Sequence, residues 1–190
     1  MIKINSCNFC NGDKYTKINY LNKNICFDCY MNEKKELFEY HARIPPINPQ
    51  IDNIFSSVYL GNLDGSKLKD LLKEVNVTHI LNCSKHSACI FPNNFDYLEL
   101  NIDDMKEDED ITKYFEISFR FIKNSKTTFI YCLSGDNVSP AILIGFLMWV
   151  NKLSYDEAFK IIKEKRESVF PYESFIKQLK NFNFGKLEIK

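Results

Sequence analysis

The stretch TTFIYCLSGDNVSPAILIGFLMWV, residues 127–150, decides how the chain is read. It opens on an apolar run suited to a buried strand, and Cys132 stands at the end of that run. A short loop with Gly135 follows. The second apolar run, Ala141 to Val150, has the length of a buried helix and not of a membrane span. Strand, cysteine, loop and helix start form an anion seat on physical grounds. Successive loop N–H groups can converge on one centre, and the helix N-terminus adds a partial positive charge. The same field lowers the pKa of a cysteine placed there and makes it a nucleophile. The competing reading is a structural cysteine filling a strand end. The loop contains Asp136 and neither Arg nor Lys.

Around this stretch, strand-like and helix-like segments alternate. VYLG (58–61), VTHILN (77–82) and YLELNI (97–102) read as strands, with TTFIYC (127–132) as the fourth. SKLKDLLKEV places Leu68, Leu71, Leu72 and Val75 on one helical face, and ITKYFEISFRFI does so with Ile111, Phe115, Phe119 and Ile122. SYDEAFKIIKEKRE opens with Ser154 and Glu157 at capping-box spacing. ESFIKQLKNF supplies a last amphipathic segment. The pattern predicts an α/β fold with a partly parallel sheet and its site at the carboxyl ends of the strands.

The formal net charge is zero, so no broad basic field favours nucleic acid or an acidic membrane surface. The N-terminus lacks the apolar centre of a signal peptide, and an intracellular, cytoplasmic location is expected. There the seven cysteines read as metal ligands, a nucleophile or core residues instead of disulfides. Four of them form two pairs, Cys7-x-x-Cys10 and Cys26-x-x-Cys29, separated by fifteen residues. Such pairs bite one tetrahedral zinc ion through two knuckles. The segment between them suits a small hairpin, and YMNEKKELFEYHAR (30–43) suits a helix starting at the metal. A closed four-cysteine site has no open position, so one structural zinc per chain is expected. The domains then read as a zinc finger of the treble-clef or ribbon type over residues 1–43, a proline-rich linker over 44–52, and the α/β domain over 53–184. The linker leaves a homodimer by domain exchange open.

From about Ile54 to Leu179 the chain resembles the dual-specificity protein phosphatases. VYLGN, THILNCS, the acidic turn IDD before ITKYFEISFRFI, YCLSGDNVS, LSYDEAFKIIKEKR and PYESFIKQL come in that family's order. The resemblance implies a sheet of about five strands flanked by helices. It also implies hydrolysis of phosphotyrosine, phosphoserine or phosphothreonine through a cysteinyl-phosphate, without a metal. The family's loop reads His-Cys-x-x-Gly-x-x-Arg-Ser/Thr. The resemblance carries the nucleophile position to Cys132, the turn glycine to Gly135 and the hydroxyl that stabilises the leaving thiolate to Ser139. Leu133, Ser134, Gly135, Asp136, Asn137 and Val138 make up the phosphate loop. The general acid maps to Asp104, with Asp103 as second choice. Tyr131 stands where the family has histidine, and Val138 where it has arginine.

The missing arginine weighs most. A guanidinium holds the phosphoryl oxygens with two charge-assisted hydrogen bonds, and a carboxylate at Asp136 would repel a phosphate dianion. Only Arg43, Arg120 and Arg166 remain, and none is an obvious replacement. The expectation is a pseudophosphatase that binds or scaffolds a protein partner, without membrane or nucleic-acid contact. The alternative is an active or weakly active phosphoprotein phosphatase using Cys132 and Asp104.

Overall fold

The computed structural model describes residues 18–20 and 23–189; Cys7 and Cys10 lie outside them. Among the described residues seven strands form one mixed sheet: β1 (Ile18–Tyr20), β2 (Lys23–Ile25), β3 (Ile51–Phe55), β4 (Val58–Asn62), β5 (His79–Ser84), β6 (Asp96–Ile102) and β7 (Thr128–Cys132). Their spatial order is β2-β1-β6-β5-β7-β4-β3. The β6, β5, β7 and β4 neighbours are parallel, and β3 closes one edge antiparallel to β4. All four predicted strands are present. β3 is an addition: it begins at Ile51, inside the stretch read as linker, and its polar residues give no clean alternation.

Residues of β7 alternate strictly, so the sheet buries two different surfaces. Ile130 and Cys132 face the larger core, with Leu60, Leu81 and Leu98 from neighbouring strands. That core is closed by α4 (Phe115–Asn124), α5 (Val138–Asn151), α6 (Tyr155–Lys165) and α7 (Glu173–Asn181). Helix α5 is buried along most of its length and ends at Lys152 in the left-handed conformation. The capping box at Ser154 and Glu157 forms as the spacing predicts. Phe129 and Tyr131 face the other side, where α1 (Phe27–Arg43) and α3 (Lys69–Glu74) cover them; between β4 and α3 lies the short α2 (Leu63–Ser66). In α3 only Leu72 is buried and Leu71 is exposed, while Leu68 and Val75 of the predicted stripe stand at the two ends of the helix.

The N-terminal segment is continuous with the sheet. Its hairpin forms as expected, and β1 then pairs in parallel with β6, extending the five strands implied by the resemblance to seven. Tyr30 of α1 is fully buried against Tyr97, Phe129 and Tyr131. Its hydroxyl donates to Glu99 Oε2 (3.2 Å) and accepts from the Cys89 N–H (2.6 Å). The Lys34 ammonium lies 2.7 Å from Glu99 Oε1, and both side chains are buried. His41 is buried, and its Nε2 lies 3.0 Å from the His86 carbonyl. Among the described residues no helix is long and apolar enough to cross a membrane.

Candidate functional site

Strand β7 lies between β5 and β4 and delivers Cys132 to the carboxyl edge of the sheet, where α5 begins. The Cys132 side chain is buried, and the Ser139 hydroxyl donates to its sulfur at 3.2 Å. Gly135 has φ 77°, and a Cβ there would lie 2.5 Å from the Gly61 carbonyl oxygen. Position 135 therefore needs glycine on both counts. The loop is anchored by the Leu63 N–H on the Leu133 carbonyl (3.2 Å) and by the Tyr172 N–H on Asn137 Oδ1 (2.9 Å). Val138, the first residue of α5, is wholly buried in the larger core.

The charged residues are arranged differently from the sequence expectation in two respects. Arg166 ends α6 and is buried against the loop. Its Nε donates to the Gly135 carbonyl (2.9 Å), and Nη2 donates to the Ser134 carbonyl (3.2 Å) and to Asp136 Oδ1 (2.9 Å). Nη1 donates to Asp52 (2.7 Å), and Nη2 also to Gln50. Arg166 thus reaches the loop after all, but it collects carbonyl oxygens. In a loop whose N–H groups converge on an anion, the carbonyls point outward, so Arg166 braces the outer side of the loop and does not replace the missing fork. Asp136 is likewise turned to Arg166 and accepts from the Ser168 hydroxyl (2.6 Å), so its charge is neutralised away from the anion seat. No signal in the sequence links Arg166 to the loop thirty residues earlier; only the packing of α6 does.

The two candidate acids separate clearly. Asp103 pairs with Lys85 (2.5 Å) and His86 (2.9 Å), which hold its carboxyl far below the usual range. Asp104 is buried as Asp103 is, but it meets a hydroxyl and a backbone N–H in place of cations. Its Oδ1 accepts from the Ser84 hydroxyl and its Oδ2 from the Leu133 N–H at 3.1 Å, while the Tyr172 hydroxyl donates to its backbone carbonyl (3.2 Å). The structure brings Cys132, Ser139, Asp104 and the loop together, and it leaves Asp103 outside the group.

The catalytic-domain model of the dual-specificity phosphatases matches residues 58–184, which span this whole arrangement. The chain belongs to the dual-specificity phosphatase family. Mouse dual specificity protein phosphatase 19 is 33% identical over 141 residues, covering 72% of this chain and 64% of the relative. The MAP kinase phosphatase with leucine-rich repeats protein 1 of Dictyostelium discoideum is 34% identical over 134 residues, covering 69% and 16%. The chain therefore spans less than two thirds of the length of these relatives. Among solved structures, the human tyrosine phosphatase-like serine/threonine/tyrosine-interacting protein superposes with a TM-score of 0.63 at 26% identity, covering 68% of this chain and 92% of that one.

In this dual-specificity phosphatase fold the nucleophile position is electrostatically quiet. Burial pushes the Cys132 thiol up, and the Asp104 carboxylate beside it pushes the same way. The Ser139 hydroxyl and the N–H groups of Ser139 and Gly135 pull down without reversing the shift. Burial also raises the Asp104 carboxyl, against the hydrogen bonds from Ser84 and Leu133. The arrangement favours a neutral thiol over a thiolate.

The predicted zinc ligands divide at the boundary of the described residues. Cys26 caps α1, and its sulfur accepts the Cys29 N–H at 3.4 Å. Among the described residues no group of three or more His, Cys, Asp or Glu side chains is placed to hold a metal.

Proposed function

We propose that this dual-specificity phosphatase-like protein is a pseudophosphatase that binds or scaffolds a protein partner. The observation that carries the reading is Val138, buried in the core where the family supplies a guanidinium. Loss of one preorganised oxyanion donor costs about 3–4 kcal/mol, or roughly 10²–10³ in rate. Here a bidentate donor and its full charge are both missing, and the thiol next to it is shifted toward the neutral form. Similarity to a human protein described as phosphatase-like and interacting agrees with a binding role. The test is turnover of a small aryl phosphate beside a Cys132→Ser control. Little or no turnover is expected, and a family-like rate abolished by that substitution would sink the reading.

The second reading, a weak phosphoprotein phosphatase, is favoured by the Ser139 hydroxyl on Cys132 and by Asp104, whose raised carboxyl suits a proton donor. The same assay decides between the two. For the N-terminal segment we propose one structural zinc held by Cys7, Cys10, Cys26 and Cys29. The Cys29 N–H directed at the Cys26 sulfur is a contact that would orient and stabilise a ligating thiolate. Elemental analysis of protein purified without chelator should find one zinc per chain.

A further inference from the structure

The Leu133 N–H is the first loop donor after the nucleophile position, and it already has an anion. Asp104 Oδ2 accepts from it at 3.1 Å, with Oδ1 fixed by the Ser84 hydroxyl. Ser84 is held in turn: its Oγ accepts from the His86 N–H at 3.0 Å, and its own N–H donates to Asn82 Oδ1 at 3.0 Å. The backbone of Asp104 is fastened from the opposite side by the Tyr172 hydroxyl. A second loop amide is also satisfied internally, because the Asp136 N–H donates to Ser134 Oγ at 3.2 Å. The loop thus spends two of its own donors on its own chain.

We propose that Asp104 is a specificity-determining residue that acts as the loop's resident ligand: its carboxylate takes the place of a phosphoryl oxygen and excludes phosphoryl dianions. The inference rests on the pseudophosphatase reading and adds a cause to it. A tethered carboxylate competes at a high effective concentration, since it needs no second molecule to bind. An incoming phosphate must both displace it and approach a like charge. Removing the arginine leaves the seat weak; placing Asp104 in it closes the seat to that class of ligand. A neutral hydrogen-bonding side chain of a partner must still displace Asp104 but meets no like charge.

The test is calorimetric titration of inorganic phosphate into the full chain and into Asp104→Ala and Asp104→Asn, with thermal melting to establish that each variant is folded. Asp104→Ala should bind phosphate at least about tenfold tighter than the parent, since both the occupant and the like charge are gone. Asp104→Asn removes the charge, keeps the shape and should fall between them. A second readout is independent of phosphate. The rate at which iodoacetamide alkylates Cys132 at a fixed mildly alkaline pH should rise in Asp104→Asn, because the charge opposing the thiolate is lost. Folded Ala and Asn variants that bind phosphate no better than the parent would overturn the proposal while leaving the pseudophosphatase reading intact. Turnover of an aryl phosphate by the parent, abolished by Cys132→Ser, would overturn that reading itself.

Discussion

Val138 and Cys132 sit six residues apart and have lost the same thing, a positive charge facing the loop. The consequence for Cys132 can be measured directly. With its thiol raised by burial and by Asp104, the thiolate fraction at neutral pH is small and grows only above the ordinary thiol range. Alkylation of Cys132 followed by mass spectrometry should therefore be slow at neutral pH, with a midpoint above that of an unstructured cysteine peptide. A midpoint below that of the peptide would show an activated nucleophile. Arg166 makes the opposite point. Its partners are two loop carbonyls, Asp136, Asp52 and Gln50. Arg166→Ala should cost about 2–4 kcal/mol in urea unfolding, because buried acceptors lose their donor. Arg166→Lys should recover only part of this, since an ammonium cannot serve that fork. The resemblance places Cys132, Gly135 and Ser139 on one loop, and their closeness in the chain keeps them together in the structure. It cannot identify where Asp136 turns, because that depends on a side chain thirty residues away. Assigned to the anion seat from position alone, Asp136 instead faces out, toward Arg166 and Ser168.

At the scale of elements, helices with strong stripes were legible. α4 buries Phe115, Phe119 and Ile122 of its predicted stripe, and α6 and α7 form over the segments read as helices, burying Ala158 and Ile162, and Phe175 and Leu179, at the helical period. β3 was not legible, since an edge strand with mixed polarity looks like the loop that precedes it. The contact between α1 and β6 is harder still: Lys34 and Glu99 are charged residues that a sequence reading assigns to the surface. Burial raises the Glu99 carboxyl, and the Lys34 ammonium offsets part of that rise. In Lys34→Met the carboxyl loses this cation and its pKa rises further. Stability of the variant is then retained below the ordinary carboxyl range, where Glu99 is protonated in both states, and is lost as pH rises through the raised native value. The deficit against the parent should be small near pH 4 and reach about 3–5 kcal/mol near neutral pH. Pairing Lys34→Met with Glu99→Leu should remove most of this pH dependence. A deficit independent of pH would show that Lys34 contributes by packing alone.

At the scale of the whole molecule, the described part of the N-terminal segment shares one sheet and one buried surface with the phosphatase fold. Cys132 and Tyr131 are consecutive, so the loop and the surface covered by α1 are separated only by the thickness of a single strand. The order of the sheet has a kinetic corollary. β1 meets β6 over three residue pairs, whereas β5 meets it over five. A short flanking ladder opens locally at lower free energy than a central one. Deuterium should therefore enter β6 unevenly, with amides facing β1 labelled early and those facing β5 protected almost until global unfolding. Uniform protection across β6 would mean that the hairpin opens only when the rest of the sheet does. With uneven labelling, the same strand carries two clocks, one for each of its edges.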